Sequence, residues 1–404
     1  MGRTPRPPAA ESVWNRDAHV PALDGVRGLA ILLVILFHHT QMQSRTWFDE
    51  VWIRIARFCW SGVDLFFVLS GFLITGILFR TRGAPGYFRS FYARRTLRIF
   101  PLYYVVVAFS LYVLPRLFPE SDLAKLGEMA MRDRSSLWYW LYLANFLVAE
   151  DGFTHPILSI AWSLAIEEQF YLVWAVVVWL AGRRTLMALA GAMMVAALAL
   201  RILLVLEGAR PAAIYVWTFT RMDTLALGAL LALAVRDERL DSRLARVARV
   251  VLPVTVAAIA FLVYREGSHF WGGPLTQTGG YTILALFYGS LLVLALPRRR
   301  GASPLAQRVF TSAFLRWLGR YSYALYLFHV PIRRVVRDNF YGVAQFPTLF
   351  GSQLPGQLLF YVVATAPAAL AAWASWHLLE KHALRLKRFF PYGGVTKLAP
   401  ARQA

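Results

Sequence analysis

The first residues whose types and spacing could do chemistry are Arg27 and His38, which stand at the two ends of an apolar run, Gly28 to Phe37. A helix turns about 100° per residue, so these two positions return to within about 20° of each other and share one face. A histidine inside a membrane helix is costly and usually has a function, for example as a general base. His39 is the rival base, but its side chain points about 100° away from that face.

A carboxylate and a hydroxyl, Asp64 and Ser70, interrupt a second apolar stretch, 62 to 72. Either one could be a polar staple between helices. For Asp64 we favour a functional role, because a lone carboxylate within a membrane needs a partner. For Ser70, which precedes Gly71, close helix packing and ligand contact are equally compatible with the sequence.

Arg95 and Arg98 open the third apolar stretch and are three residues apart, hence neighbours on one helical face. Their forked guanidinium donors suit phosphate groups. The alternative is that they set the topology and contact lipid headgroups, as Arg80, Arg82 and Arg89 would. Spacing alone leaves both interpretations open.

Adjacent acids, Glu167 and Glu168, follow Trp162 and Ser163 at the start of another apolar stretch. They could simply stabilise the N-terminus of a helix. Glu167, however, lies more than a turn beyond Trp162, at a depth that we estimate to match His38. A carboxylate beside an imidazole fixes its tautomer and raises its basicity, so we predict that these two side chains pair.

Later polar residues give weaker signals. Arg221 and Asp223 lie within one apolar stretch and are interpreted as a structural ion pair. His329 ends the block that begins at Ser322, and buried packing and function are equally compatible with it.

The composition excludes a soluble enzyme. The chain has 404 residues, of which 58% are hydrophobic and 16% charged, as in polytopic membrane proteins. Its net charge of +21 does not indicate nucleic acid binding, because the basic residues lie in short loops between apolar runs. We expect them to contact membrane lipids. The single cysteine, Cys59, excludes an internal disulfide and a multi-thiolate metal site, and no metal is expected.

The fold class expected is an all-α membrane bundle of about ten transmembrane helices. Segments long enough to cross lie at 22–42, 59–79, 99–118, 162–182, 186–206, 212–235, 248–265, 278–296, 314–332 and 355–379. An aromatic-rich segment, 135–150, is shorter. The parity of the crossings predicts that it is interfacial or re-entrant.

Arginine-rich loops give the orientation, since cytoplasmic loops carry the excess of basic residues. The loops at 80–98, 236–249 and 298–316 are basic, so both termini are expected in the cytoplasm and the chain in the cell inner (plasma) membrane. One loop fits poorly, because Arg333, Arg334 and Arg337 fall on the outer side. The domains predicted are an N-terminal tail, a membrane domain and a basic C-terminal tail, at 1–20, 21–382 and 383–404.

Together these motifs resemble the acyltransferase family 3 of integral membrane proteins, whose members O-acylate bacterial surface sugars and, in some actinomycete branches, macrolides. The positions that carry the resemblance are Arg27 with His38, Asp64 with Ser70, Arg95 with Arg98, Trp162 and Ser163 with Glu167, and the block from Ser322 to His329. Two features depart from the family. The family's closing proline is missing after Glu380, and no appended hydrolase-like domain is evident, so direct transfer from donor to acceptor is expected.

The resemblance implies an O-acyltransferase, by default an O-acetyltransferase, that uses acyl-CoA and no metal. Arg27, Arg95 and Arg98 would bind the donor. His38 would take the proton from the acceptor hydroxyl, and Glu167 would orient it. Asp64, Ser70, Trp162, Ser163 and His329 would bind substrate or support the site. The acceptor would be a carbohydrate, a glycolipid or a macrolide.

A second hypothesis belongs to another class: a proton-coupled transporter or flippase of a lipid-linked sugar. In it, Asp64, Glu167 and His38 would relay protons. Ten spans permit this function, although no inverted repeat is evident. Transfer of label from acyl-CoA to an acceptor would separate the two hypotheses.

Overall fold

The computed structural model describes residues 19–267, 270–297 and 303–392. Within these ranges the chain is helical apart from turns, loops and one isolated bridge between Leu349 and Ser352. The predicted all-α fold class is confirmed. Most of the two predicted tails, 1–20 and 383–404, lies outside the described residues.

Eighteen α-helices are described, together with short 3₁₀ and π turns. The first nine are α1 Pro21–His39, α2 Trp47–Phe58, α3 Gly62–Thr81, α4 Tyr87–Ala108, α5 Leu114–Leu117, α6 Asp122–Met131, α7 Leu137–Trp140, α8 Ala144–Asp151 and α9 Ala161–Leu180. The remaining nine are α10 Arg183–Leu206, α11 Pro211–Val216, α12 Thr218–Ala234, α13 Glu238–Glu266, α14 Tyr281–Ala295, α15 Pro304–Phe310, α16 Ala313–Asn339, α17 Leu354–Ser375 and α18 Lys381–Arg385.

Nine helical stretches of the described chain are long and apolar enough to cross a membrane, and they correspond to nine of the ten predicted spans. The remaining predicted span, 314–332, lies within α16. This helix has 27 residues and is therefore about 40 Å long, enough to cross a bilayer. It is less apolar than the others because arginines and tyrosines interrupt it, and it packs along α1 and α17.

The aromatic-rich segment 135–150 forms two short helices, α7 of 4 residues and α8 of 8 residues. A helix of eight residues is about 12 Å long, too short to cross. The segment therefore does not add a crossing.

The second span is preceded by a helix that the sequence analysis did not predict. α2 leads into α3 through one 3₁₀ turn, Cys59–Ser61, and exposes Trp47 and Phe48. Its start is fixed by a capping box, in which Thr46 Oγ1 accepts from the Asp49 N–H at 3.3 Å and Asp49 Oδ2 accepts from the Thr46 N–H at 3.0 Å.

The third span begins earlier than expected. α4 starts at Tyr87 rather than near residue 99, so Arg95 and Arg98 lie within a helix rather than at its mouth. The described residues after α18 pack against α4, where Arg94 donates to the carbonyl oxygens of Lys387 and Phe390 at 3.2 and 3.0 Å. The C-terminal segment therefore packs on α4 at this end of the bundle.

Helices α1 and α16 touch at the level of their backbones. A Cβ atom on Gly28 would lie 1.9 Å from the carbonyl oxygen of Leu315, and one on Gly319 would lie 1.9 Å from that of Asp24. Both positions therefore require glycine. This contact joins the two helices near their starts, and the bond between His38 and His329 joins them about ten residues further along.

Two ion pairs lie inside the bundle, away from solvent. Asp64 of α3 bonds Arg221 of α12, and Asp223 of α12 bonds Arg201 of α10 at 2.9 Å; all four side chains are fully buried. The predicted pairing of Arg221 with Asp223 is wrong. Residues two apart on a helix point about 200° from each other, so each takes its partner from a different neighbouring helix.

Candidate active site

A cavity between five helices collects most of the side chains that the sequence analysis selected. We call it the arginine cavity. Its lining includes Arg27 of α1, Ser70 of α3, Arg95 and Arg98 of α4, Ser163, Glu167 and Tyr171 of α9, and Ser322, Tyr323 and Tyr326 of α16. Five separate motifs of the sequence therefore meet in one place.

The three arginines of this cavity differ in their counter-charges. Arg27 Nη1 lies 3.6 Å from Asp24 Oδ1, and Arg98 Nη1 lies 3.7 Å from Glu380 Oε2. The Arg95 guanidinium instead lies over the ring of Tyr171, 4.5 Å from its centroid, and its buried Nε has no hydrogen-bond partner in the described chain. Glu167 and Glu168 act on Arg95 from beyond ion-pair distance, so its Nε–H remains available to an added anion.

Glu167 faces the same cavity and is tied to its wall. The Tyr171 hydroxyl donates to Glu167 Oε2 at 2.8 Å and also bonds the Ser70 hydroxyl. The carboxylate therefore holds the tyrosine on which Arg95 lies. Ser70 lines the cavity, whereas Gly71 packs against the backbone of Leu225 on α12. Of the two alternatives left open by the sequence, ligand contact is therefore available to Ser70, and close helix packing is provided by Gly71.

A second cavity of about 270 Å³ lies at the other end of α1. We call it the histidine cavity. Its lining includes the side chains of His38, Trp60, His155, Trp162, Tyr215, Trp271, Arg333 and Arg334. Aromatic rings dominate its wall, and its polar groups are few, as in sites for organic ligands.

Hydrogen bonds fix the tautomer of His38. His329 Nδ1 faces the carbonyl oxygens of Leu325 and Tyr326, at 3.1 and 2.7 Å, so it must carry a proton. In neutral His329 the Nε2 atom is then an acceptor. His38 Nδ1 lies 3.0 Å from the Val34 carbonyl oxygen and 3.2 Å from His329 Nε2, so it too must carry a proton. The lone pair of His38 is thus on Nε2, as a general base requires.

His39 has a different environment. It is fully buried, its Nε2 lies 3.3 Å from the carbonyl oxygen of His329, and its Nδ1 lies 3.2 Å from the Thr365 hydroxyl. Both ring nitrogens are therefore engaged, and His39 is not among the residues lining the histidine cavity. The geometry favours His38 as the base.

The predicted contact between His38 and Glu167 is not formed in the described structure. His38 bonds His329, and Glu167 bonds Tyr171, at the walls of different cavities. The depth estimate failed because Trp162, not Glu167, lies at the level of His38. Five further residues of helix carry Glu167 about 7.5 Å towards the arginine cavity.

The two cavities share Tyr326 and Val63 in their linings. The Tyr326 hydroxyl bonds Ser163 Oγ at 2.7 Å and also donates to the Ile160 carbonyl oxygen at 3.0 Å. These side chains form the partition between the cavities.

Several residues of the two cavities were not selected from the sequence. Tyr171 and Tyr326 lie in sequence motifs from which other residues, Glu167 and His329, were selected. His155 gave no signal, since it lies alone in a loop; its Nδ1 accepts from the N–H groups of Ile157 and Leu158 at 3.2 and 3.0 Å. Burial, helped by the charge of Arg334, lowers the pKa of His155 to about 3, so it is neutral. Arg333 and Arg334 could be noticed in the sequence for one reason: they fall on the predicted outer side, although basic residues prefer cytoplasmic loops.

Asp64 lies outside both cavities, in its buried pair with Arg221. Among the residues described, no group of three or more His, Cys, Asp or Glu side chains could hold a metal ion.

Comparison with known proteins finds relatives that are named as O-acetyltransferases. The chain is 30% identical over 328 residues to peptidoglycan O-acetyltransferase OatA of Listeria monocytogenes, which covers 78% of this chain and 49% of the relative. It is 31% identical over 330 residues to putative peptidoglycan O-acetyltransferase YrhL of Bacillus subtilis, covering 78% and 48%. With O-acetyltransferase OatA of Staphylococcus aureus the identity is 27% over 397 residues, covering 94% and 59%.

The chain thus spans about half the length of the first two relatives. No solved structure matches it. A family model described as an acyltransferase domain matches residues 20–377, which include every residue named in the two cavities. The chain therefore belongs to this acyltransferase family of membrane proteins.

Proposed function

We propose that the protein is a membrane O-acetyltransferase. It moves an acetyl group from acetyl-CoA, bound in the arginine cavity, to a hydroxyl of an acceptor in the histidine cavity. The observation that carries this proposal is the pair of adjoining cavities, one with phosphate-binding side chains and one with a general base of fixed tautomer. The names of the relatives favour a cell-wall carbohydrate as the acceptor, and a glycolipid or a macrolide presents the same reacting group.

The proposed orientation places the arginine cavity towards the cytoplasm and the histidine cavity towards the outside. The basic loops support it, since Arg80, Arg82 and Arg89 lie on the same side as Arg95. Both termini would then be cytoplasmic, in the plasma membrane. The donor comes from the cytoplasm and the acceptor from the outer side, so the acetyl group crosses most of the bilayer during the reaction.

Each arginine would have a part in donor binding. Arg95 and Arg98 lie one turn apart and hold the phosphates of CoA, and Arg27 adds a third charge from α1. The pantetheine arm extends along α1 towards His38, about 16 Å beyond Arg27. It passes the partition formed by Tyr326 and Ser163. Glu167 contributes by holding Tyr171 beneath Arg95.

The reaction follows from the state of His38. Its Nε2 removes the proton of the acceptor hydroxyl while the hydroxyl oxygen attacks the thioester carbonyl. The C–S bond then breaks, and the imidazolium returns its proton to the leaving thiolate, so that an ester and free CoA are formed. During this cycle His38 Nδ1–H stays bonded to the Val34 carbonyl and His329. General-base assistance of this kind is worth about 10²- to 10⁴-fold in rate.

The transporter hypothesis loses support from the geometry. Its relay needs Asp64, Glu167 and His38 to be connected. Asp64 lies in a closed ion pair, Glu167 in the arginine cavity and His38 in the histidine cavity, so no continuous chain of titratable side chains joins them in the described residues.

The experiment that tests the proposal uses purified protein in proteoliposomes with acetyl-CoA labelled in the acetyl group. Cell-wall glycan fragments are supplied as acceptor on the other side. We expect label in an ester on the glycan, and unlabelled CoA as the second product. Movement of glycan across the membrane without ester formation would instead identify a carrier and refute the proposal.

A further inference from the structure

The histidine cavity carries an unbalanced positive charge. Arg333 and Arg334 of α16 line it, and no Asp or Glu side chain is among its described lining residues. The nearest acid along α16, Asp338, is already paired with Arg337 at 2.5 Å. His155 and His38 add no negative charge. Two guanidinium groups therefore line a mainly aromatic space that no described carboxylate lines, and the single charge of Asp338, shared with Arg337, leaves this part of α16 with a net positive charge.

The two arginines are also incompletely bonded. Arg333 Nη1 donates to the backbone carbonyl oxygen of His38 at 2.6 Å, and the buried Nε atoms of both Arg333 and Arg334 have no hydrogen-bond partner in the described chain. Unpaired buried donors are costly, so such groups commonly mark a place where a ligand completes the bonding.

The position of these arginines runs against the charge rule for membrane proteins. They lie at the end of the bundle that the sequence assigns to the outside, where an excess of arginine is disfavoured. A residue pair kept there in spite of that preference has to be explained by something other than topology. Binding of an anion from the outer side is such an explanation.

We infer that the acceptor is an anionic sugar, whose carboxylate or phosphate is held by Arg333 and Arg334 while a hydroxyl of the same or the adjacent ring meets His38 Nε2. This inference rests on the proposed function and adds the substrate class. The contact of Arg333 with the His38 backbone sets the spacing, because it places the anion beside the base. The rings of Trp60, Trp162 and Trp271 cover the faces of the sugar.

The test measures acceptor binding without donor, by saturation-transfer NMR on the purified full chain. The probes are two pairs that differ in charge: N-acetylmuramic acid with its methyl ester, and N-acetylglucosamine phosphate with N-acetylglucosamine. We expect at least one charged member to bind about tenfold more tightly than its neutral partner. Preference for the carboxylate would point to an acidic sugar, and preference for the phosphate to a phosphorylated sugar or a lipid carrier.

The variants are Arg334→Gln, Arg334→Lys and, as matched control, Arg337→Gln. Arg337 lies one turn further along α16, pairs with Asp338 and does not line the cavity. Arg334→Gln should abolish the charge preference and leave the KM for acetyl-CoA unchanged. Arg334→Lys should keep most of the preference, and Arg337→Gln all of it.

Two results would overturn the inference: equal binding of charged and neutral probes to the wild type, including no binding of either, or an unchanged preference in Arg334→Gln. These differ from a failure of the proposed function. Charge-selective binding with no label transfer would reject the enzyme and keep the anion site. Transfer to charged and neutral acceptors at equal KM would keep the enzyme and reject the anion site.

Discussion

The arginine cavity and the histidine cavity adjoin each other but are built in opposite ways. In the arginine cavity, two of the three arginines already have a carboxylate within 3.7 Å, and most of the lining comes from motifs on long helices. In the histidine cavity no carboxylate is among the described lining residues beside the two arginines, and much of the wall comes from loops and helix ends. The polar side chains of the first cavity are thus largely bonded to one another. The second leaves more of its bonding to the molecule that enters.

The largest expected effect, and the clearest distinction between the roles of the two cavities, comes from replacing His38. His38→Gln removes the base without touching the arginine cavity, so kcat should fall by about 10²- to 10⁴-fold while the KM for acetyl-CoA stays constant. Steady-state transfer of labelled acetyl groups measures both. His39→Gln is the control, and it should keep its activity per folded molecule because His39 does not line the cavity. Inactivation by His39→Gln alone would reverse the assignment of the base.

Arg95→Ala should have the next largest effect, which should be confined to the arginine cavity. Loss of a charge-assisted contact to phosphate should raise the KM for acetyl-CoA by about tenfold or more, with acceptor KM unchanged. Arg94→Ala is the matched control, because Arg94 bonds the backbone carbonyls of Lys387 and Phe390 outside the cavity. An increase in acceptor KM with unchanged donor KM would show that the donor cavity has been misidentified.

Under the proposed function, His329 would act through its contact with His38, as a positioning residue. His329→Leu removes one of the two acceptors for His38 Nδ1–H and leaves the Val34 carbonyl oxygen, so kcat should fall by about tenfold while both KM values hold. His329→Gln can present an oxygen to the same proton and should recover part of the loss. If His329 had only a structural role, kcat should fall equally in both variants, and the KM values should change as well.

Glu167→Gln should have the smallest effect. An amide oxygen can still accept from the Tyr171 hydroxyl, so we expect only a few-fold rise in the KM for acetyl-CoA, since a hydrogen bond to a charged group is worth more than one to a neutral group. The acceptor KM and kcat serve as internal controls. A collapse of kcat comparable to that of His38→Gln would show that Glu167 reaches the reacting atoms after all.

The arginine cavity could largely be predicted from the sequence because its residues lie on helices with regular spacing. Arg95 and Arg98, three residues apart, had to share a face. The family resemblance grouped Arg27 with them, whereas the periodicity of α1 related Arg27 to His38, which lines the other cavity. The pairing of His38 with Glu167 could not be predicted correctly, since it depended on the depth at which α9 begins relative to α1. That depth is set by the 3₁₀ turn Leu158–Ile160 and the loop before it, for which periodicity gives no rule.

The charges inside the bundle show the same limit. Their presence within the spans could be seen in the sequence, and a structural pair was predicted. Which acid meets which arginine depends on the rotation of α3, α10 and α12 about their axes, and that is decided by packing such as the contact of Gly71 with Leu225. Arg333 and Arg334 were visible only as a misfit, because their cavity is assembled from distant loops.

The glycine contact between α1 and α16 has a consequence for the catalytic cycle. The backbones of α1 and α16 are in van der Waals contact, and His38 is bonded to His329, so these two side chains are expected to move together. Under the proposed function, the thioester would have to pass between the two cavities where the partition consists of side chains, and rotation of the Tyr326 phenol away from Ser163 would open it.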